Sequence, residues 1–238
     1  MIKRITAARQ ALEPLLHDGM TIAVGGFGIC GSPFELIEAV RDSGVRELTI
    51  ISNNMGLDGV GLGLLLDSHQ VARVHCSYAG ENDEFARQMI AGEVEVVFVP
   101  QGTLAERLRA AGAGIPAFYT PTGVGTDVAR DHEVRDFDGV PHLLETALHA
   151  DLGLVHAHRA DRFGNLAYRA AARNFNPLVA QAADHTVVEA ERIEPDALEP
   201  DRIETPGIFV ESVVSAAHRE RPIERRTVRP RPTRDVAA

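Results

Sequence analysis

An alternation constrains this chain more than any other feature. Short β-branched runs recur along it, separated by stretches with helical spacing. "TIAV" (Thr21 to Val24), "ELTIIS" (Glu47 to Ser52), "VARVHCS" (Val71 to Ser77) and "VEVVFV" (Val94 to Val99) have the length and content of buried strands. "LGLVHAH" (Leu152 to His158), "HTVVEA" (His185 to Ala190) and "GIFVESVV" (Gly207 to Val214) follow later. The spacing predicts helices near residues 5–17, 33–43, 83–91 and 103–111. Parallel strands need long crossovers, usually helical, so strands spaced by helices imply parallel pairing. The expected fold is α/β: a mainly parallel open sheet with helices on both faces. Residues 117–148 break the rhythm. They are rich in Gly, Thr and Pro and then carry "HEVRDFDGVPHLLE", whose Asp-Gly suggests a hairpin turn. A small β-rich excursion from the main sheet is expected there.

A chain of 238 residues, 45% of them hydrophobic, can fill one large domain, expected over residues 1–218. Seven arginines lie between Arg219 and Arg234, mixed with Pro222, Pro230 and Pro232. That composition reads as a solvated, extended tail over 219–238. Elsewhere acid dominates: 34 Asp and Glu against 24 Lys and Arg give a net charge of -10. Such a surface repels phosphate, so neither nucleic acid nor membrane is expected as a partner. Cys30 and Cys76 are too few for a disulfide scaffold. With no signal-like apolar core and no run of membrane-spanning length, the expected setting is cytoplasmic. His156 and His158 alternate on one predicted strand, but without His-x-x-x-His or Cys-x-x-Cys they point to structural roles and no metal.

Gly26-x-Gly28-x-x-Gly31 has the spacing of a dinucleotide-binding turn. That reading needs a helix opening at once and an acidic residue closing the second strand. Here the helix starts after the third glycine, with Ser32 placed to cap it, Pro33 at its first position and Glu35 completing a capping box. The second strand ends in Ser52-Asn53-Asn54, with no carboxylate. Two readings remain open from the loop alone. Glycines beside a helix N-terminus can present backbone N–H groups to an anion or a developing oxyanion; they can also form a purely structural tight turn.

The other strand-end loops are "SNNMG" (Ser52 to Gly56), "YAGEN" (Tyr78 to Asn82) and "PQGT" (Pro100 to Thr103), where Thr103 and Glu106 fit a further capping box. In an open parallel sheet these lie at the carboxyl edge, where ligands bind. Their Asn, Gln and Gly suit a polar substrate held by hydrogen bonds. No Ser-His-Asp set accompanies them.

"DGMTIAVGGFGICGSP" (Asp18 to Pro33), "SNNMGLDGVGLGLLL", "PQGTLAERLRAAGAGIPAFYTPTGVGT" and "DRFGNLAYRAAARNFNP", in this order, resemble the A (alpha) subunit of family I CoA-transferases. The resemblance runs from about Ile2 to Val214 and looks nearest to the 3-oxoacid enzymes. It implies a NagB/RpiA-like α/β fold and transfer of CoA from an acyl-CoA, commonly succinyl-CoA, to a 3-oxo acid such as acetoacetate. The route it implies is ping-pong through a glutamyl-CoA thioester. Coenzyme A is then a substrate, and no permanent cofactor or metal is implied. The family's nucleophilic glutamate lies in a Ser-Glu-Asn-Gly motif of a partner B subunit, in a heterodimer or heterotetramer. This chain lacks that motif; Gly80-Glu81-Asn82 is its nearest echo, so Glu81 is a counterpart position and a candidate for direct chemistry.

The resemblance assigns CoA binding to Gly25, Gly26, Phe27, Gly28, Ile29, Cys30 and Gly31, and substrate binding to Asn53, Asn54 and Gln101. The plainer alternatives are an Asx turn at Asn53-Asn54, a core aromatic at Phe27 and a small buried filler at Cys30. Arg173 in "ARNFNP" reads better as a loop or interface anchor than as a ligand for phosphate. Arg73, Arg87 and Arg107 are candidates to meet the second carboxylate of a dicarboxylic acceptor. The alternative activities are 3-oxoadipate or acetate/acetoacetate CoA transfer, CoA-ester hydrolysis through Glu81, or sugar-phosphate isomerisation on a similar scaffold. A non-catalytic CoA-binding protein is a further alternative.

Overall fold

In the computed structural model, residues 2–217 are described. The Arg- and Pro-rich stretch 219–238, expected to be extended, lies outside them. In chain order the elements are β1 (Arg4–Thr6), α1 (Ala8–Leu12), β2 (Thr21–Val24), α2 (Phe34–Ser43), β3 (Leu48–Ile51), α3 (Gly63–Asp67), β4 (Val71–Cys76), α4 (Asp83–Ala91) and β5 (Glu95–Phe98). Then come α5 (Gln101–Gly112), β6 (Ala117–Thr120), β7 (Val134–Phe137), β8 (Val140–Thr146), β9 (Ala150–Asp161), β10 (Leu166–Ala167), α6 (Asn176–Ala182), β11 (Ala183–Glu194) and β12 (Ser212–Ser215).

The main sheet has nine strands in the order β1-β12-β11-β9-β2-β3-β4-β5, with β10 beside β9. Every neighbouring pair on that path is parallel; β10 alone runs antiparallel. From the β2/β9 pair, β3, β4 and β5 step outward one way, and β11, β12 and β1 the other. That divergence is a topological switch point, where connections separate and leave a crevice at the carboxyl edge. The Phe-Asp-Gly hairpin forms as expected: Asp138 and Gly139, both at positive φ (54° and 80°), join β7 to β8. With β6 these strands make the three-stranded antiparallel excursion.

The strands read as unbroken apolar runs because both faces are covered. Ile22, Val24, Ile50 and Val74 pack with Leu36, Ile37 and Val40 of α2, Leu65 and Leu66 of α3, and Phe85 of α4. The alternate residues Ala23, Ile51, Val155 and Val188 pack with Leu104 and Leu108 of α5 and Val179 of α6. Each fully buried Leu or Ile contributes about 1.5–3 kcal/mol, so neither face tolerates a polar run.

Several element ends differ from the sequence reading. The helix expected over 5–17 closes at Leu12, because Pro14 supplies no N–H to continue it. The one expected over 103–111 starts at Gln101 behind Pro100. Thr103 therefore sits inside the first turn, its buried Oγ1 makes no hydrogen bond among the described residues, and it does not serve as the cap. Gly207–Phe209 is a 3-10 turn, so the strand expected from Gly207 begins at Ser212. A side chain at Gly207 would stand 2.1 Å from the Phe163 carbonyl, which holds that backbone off the sheet path. The short helices α3 and α6 and the edge strand β1 carry too little periodicity to be read from sequence.

Candidate active site

The loops leaving β2, β3, β4 and β5 meet at one cleft of about 360 Å³. Phe27 and Gly28 come from the first, Asn53 and Asn54 from the second, Ser77, Tyr78 and Glu81 from the third, and Gln101 from the fourth. Six of these were singled out from sequence. Ser77 and Tyr78 were not, because a serine and a tyrosine after a strand carry no distinctive spacing.

The glycine loop is both a structural turn and a wall of this cleft. Gly25 is bonded to the far side of the switch point, its N–H donating to the Leu154 carbonyl at 2.9 Å. Phe27 and Cys30 exchange two backbone hydrogen bonds (3.0 and 3.1 Å), which brings Gly28 and Ile29 to the tip of a tight turn. Two asparagines from "ARNFNP" hold this shape. Asn174 accepts from the Gly26 N–H (3.1 Å) and donates to the Cys30 carbonyl (2.8 Å). Asn176, fully buried, accepts from the His156 N–H (2.8 Å) and donates to the carbonyls of Gly31 (3.0 Å) and Ala172 (2.9 Å). These contacts explain two glycines. A Cβ on Gly25 would lie 1.9 Å from Asn176 Oδ1, and one on Gly31 2.6 Å from the Ala172 carbonyl.

Gly25, Gly26, Ile29 and Gly31 are buried by this packing, while Phe27 (46% exposed) and Cys30 face outward. Phe27 is thus no core aromatic and Cys30 no buried filler. Within the described residues the Gly28 N–H has no acceptor. Sequence reasoning chose Arg173 as the informative residue of "ARNFNP" and passed over its asparagines. Arg173 pairs with Glu204 at 2.8 Å, the anchoring role favoured for it.

Ser32 does not cap α2. Its N-cap is Pro33, and two N–H groups of the first turn are met from across the sheet. The buried Glu189 of β11 accepts from the Glu35 N–H (2.7 Å) and the Leu36 N–H (3.4 Å). A carboxylate there also favours the positive end of the helix dipole.

Asn53 and Asn54 are 3% and 7% exposed. Asn54 Oδ1 takes a long 3.4 Å bond from the Gly56 N–H, the Asx-type turn weighed for this pair. The Asn53 carboxamide has no hydrogen-bond partner among the described residues, and neither does the buried Ser77 Oγ. A buried polar group without a partner is costly, and Ser77 borders the cleft beside Asn53. The third loop is stiff. Asn82 caps α4 through Phe85 (2.8 Å) and donates to the Met55 carbonyl (3.0 Å), while Gly80 lies under the Tyr78 hydroxyl. Between them Glu81 is exposed and held at φ 65°, a left-handed conformation that is uncommon outside glycine. Gln101 opens α5 and is exposed.

The three candidate arginines are engaged elsewhere. Arg73 pairs with Glu95, Arg87 with Glu84 and Glu93, and Arg107 with the buried Glu145. None of them borders the cleft. His156 and His158 both approach Glu191, at 3.6 and 2.7 Å. Burial opposes the charged form of Glu191, but the His158 hydrogen bond, with His156 and Arg169 nearby, holds its pKa below the ordinary value. No helix among the described residues is long and apolar enough to cross a membrane.

Comparison with known proteins agrees with this architecture. The A subunit of succinyl-CoA:3-ketoacid coenzyme A transferase from Xanthomonas campestris pv. campestris strain B100 is 56% identical over 228 residues, 95% of this chain and 94% of that one. A probable A subunit of the same enzyme from Bacillus subtilis strain 168 is 51% identical over 229 residues, 96% of each chain. Among solved structures, the acyl-CoA transferase YdiF of E. coli O157:H7, as a thioester complex with CoA, superposes with a TM-score of 0.79 at 22% identity. That match covers 90% of this chain and 47% of YdiF, so it speaks for the fold alone and this chain spans about half of that enzyme. The sequence model of the family described as Coenzyme A transferase matches residues 5–216, and with these relatives it shows that the chain belongs to the coenzyme A transferase family.

Proposed function

We propose that this chain is the A half of a succinyl-CoA:3-oxoacid CoA-transferase, supplying hydrogen-bonding walls for an acyl thioester while a B subunit brings the nucleophilic glutamate. The observation that carries this reading is the convergence of Gly28, Asn53, Asn54 and Gln101 on one cleft, beside the buried Ser77 Oγ that has no hydrogen-bond partner among the described residues. The names of the relatives from Xanthomonas and Bacillus support the substrate pair.

In this reading the partner's glutamate attacks the acyl-CoA carbonyl, forming a mixed anhydride and releasing the CoA thiolate. The thiolate attacks the glutamyl carbonyl of the anhydride, giving glutamyl-CoA and the free donor acid. The acceptor carboxylate then repeats both steps in reverse. Each attack makes an oxyanion, and backbone or amide donors fixed before the reaction stabilise it. The Gly28 N–H is free for that task, with Phe27 and Cys30 beside it for the thioester arm. Asn53, Asn54 and Gln101 donate to carboxylate or keto oxygens without adding a formal charge. The cleft is lined by one carboxylate and no cation, which favours an acetoacetate-like monocarboxylate over 3-oxoadipate on this side. The wider assignment of residues 25–31 to CoA rests on the family resemblance.

The test is co-expression with a B subunit, then assay of CoA transfer from succinyl-CoA to acetoacetate and 3-oxoadipate. Asn53→Ala and Gln101→Ala are expected to lower kcat/KM by roughly 10–100-fold, the worth of one or two lost hydrogen bonds, with assembly unchanged. Absence of transfer to any acceptor rejects the assignment. A second reading, CoA-ester hydrolysis, is favoured by the position of Glu81 on the cleft in a strained conformation. It requires acyl-CoA hydrolysis by the lone chain that disappears in Glu81→Gln.

A further inference from the structure

A second concavity lies away from the loops after β3, β4 and β5. β12 stops pairing with β11 at Ala190, yet β9 and β11 continue together to Asp161 and Glu194. On this extension Arg159 of β9 and Arg192 of β11 are direct register neighbours. Like charges placed opposite each other on adjacent strands repel. Arg202, from the 3-10 turn Pro200–Arg202, borders the same pocket of about 330 Å³, as does Glu204.

The counter-charge there is largely committed. Glu204 accepts from Arg173 Nε (2.8 Å) and from the Tyr168 N–H (3.1 Å). Arg159 has Glu194 only at 3.8 Å. Arg192 and Arg202 have no side-chain ion pair or hydrogen bond among the described residues. In a chain of net charge -10, three guanidinium groups, those of Arg192 and Arg202 exposed and that of Arg159 partly so, gather on one pocket against a single engaged carboxylate, which leaves the pocket mouth locally positive. A positive mouth of this kind attracts an anion. Arg forks match the oxygens of a phosphoryl group bidentately.

We propose that the pocket of Arg159, Arg192 and Arg202 binds a phosphoryl-bearing anion of diphosphate size. Two sources share that chemistry: the phosphate groups of coenzyme A itself, or a free nucleotide or pyrophosphate. The Arg173–Glu204 pair joins the pocket wall to the segment that holds the glycine loop. The proposal does not depend on which acid the enzyme uses.

The test is calorimetric titration of the full chain at low salt with pyrophosphate, ADP and CoA in turn. Wild type is compared with Arg192→Gln, Arg202→Gln, the double variant, and Arg87→Gln as a control whose partners lie elsewhere. Saturable pyrophosphate binding is expected, weakened about tenfold or more by each pocket substitution, the worth of one charge-assisted bond, and unchanged in the control. Competition between pyrophosphate and CoA, with the pocket variants raising the KM for succinyl-CoA at unchanged kcat in the assembled enzyme, identifies the phosphates of CoA as the source. Pyrophosphate or ADP binding indifferent to CoA identifies a free anion. Both outcomes support the site. The proposal is overturned if none of the three anions binds saturably, or if binding survives the double variant with melting unchanged. It is also overturned if the arginine variants fail only in assembly with the B subunit, which makes this face a contact for an acidic protein surface.

Discussion

Replacing Asn176 by Ala should loosen the glycine loop from behind. The substitution removes the acceptor of the buried His156 N–H and weakens satisfaction of the Gly31 and Ala172 carbonyls. An abandoned buried donor costs about 1–3 kcal/mol, and a carbonyl with its other lone pair less. The sum is about 2–4 kcal/mol, or a fall in Tm of about 5–15 °C for a chain of this size. Gly25→Ala attacks the same contact from the other side, since its methyl would stand 1.9 Å from Asn176 Oδ1. Overpacking of this kind costs about 1–3 kcal/mol. If the two residues are coupled through that one contact, the double variant gives the new methyl room. Its loss should then fall short of the sum of the single losses by about 1 kcal/mol or more. Urea unfolding of the four proteins, followed by far-UV circular dichroism, measures the cycle. Additivity within about 0.5 kcal/mol, or a loss below about 1 kcal/mol for Asn176→Ala, refutes the clamp.

Other consequences can be checked in the same preparations. Glu189→Ala removes the carboxylate that accepts from two N–H groups of α2 and should cost about 2–4 kcal/mol; Glu189→Gln keeps an acceptor and should recover about half of that, as read by denaturant melts. His75 is pushed below its ordinary pKa by burial, then by Arg107 and Arg73, with Glu95 opposing. The folded state therefore prefers neutral His75, and its contribution is intact above the unfolded pKa of about 6.5 and declines as pH falls below it. His75→Leu should flatten the stability slope between about pH 7 and 5.5; an unchanged slope refutes this. Burial raises the Cys76 thiol to about 11 while Cys30 is exposed, so a thiol reagent at pH 8 should modify Cys30 alone in the folded chain and both cysteines in denaturant.

The parallel sheet was readable because its strands bury both faces and announce themselves as apolar runs. The hairpin was readable because Asp138-Gly139 must sit at positive φ. Caps were read less well. Ser32 and Glu35 satisfy the local rule for a capping box, but a carboxylate 154 positions downstream takes over the Glu35 N–H. No window of sequence contains both partners. The same reason hid the asparagines of "ARNFNP". Their spacing is unremarkable, and their importance comes from bonds to a loop almost 150 residues away. Asn53, Asn54 and Gln101 lie in loops after recognisable strands, whose ends in an open sheet have a known destination, but the family resemblance singled them out, and Glu81 was reached as an echo of that family's Ser-Glu-Asn-Gly motif.

The long reach of those bonds has a temporal meaning. A chain emerging from the ribosome exposes Gly25 to Gly31 long before Asn174 and Asn176 are synthesised, and β2 waits almost as long for β9. Until then the first four central strands can collapse, but the loop has nothing to hold its turn. The cleft is thus a late product of biogenesis, completed only when the last third of the chain threads into the middle of the sheet. A nascent fragment released before that point would present strand ends without a binding surface.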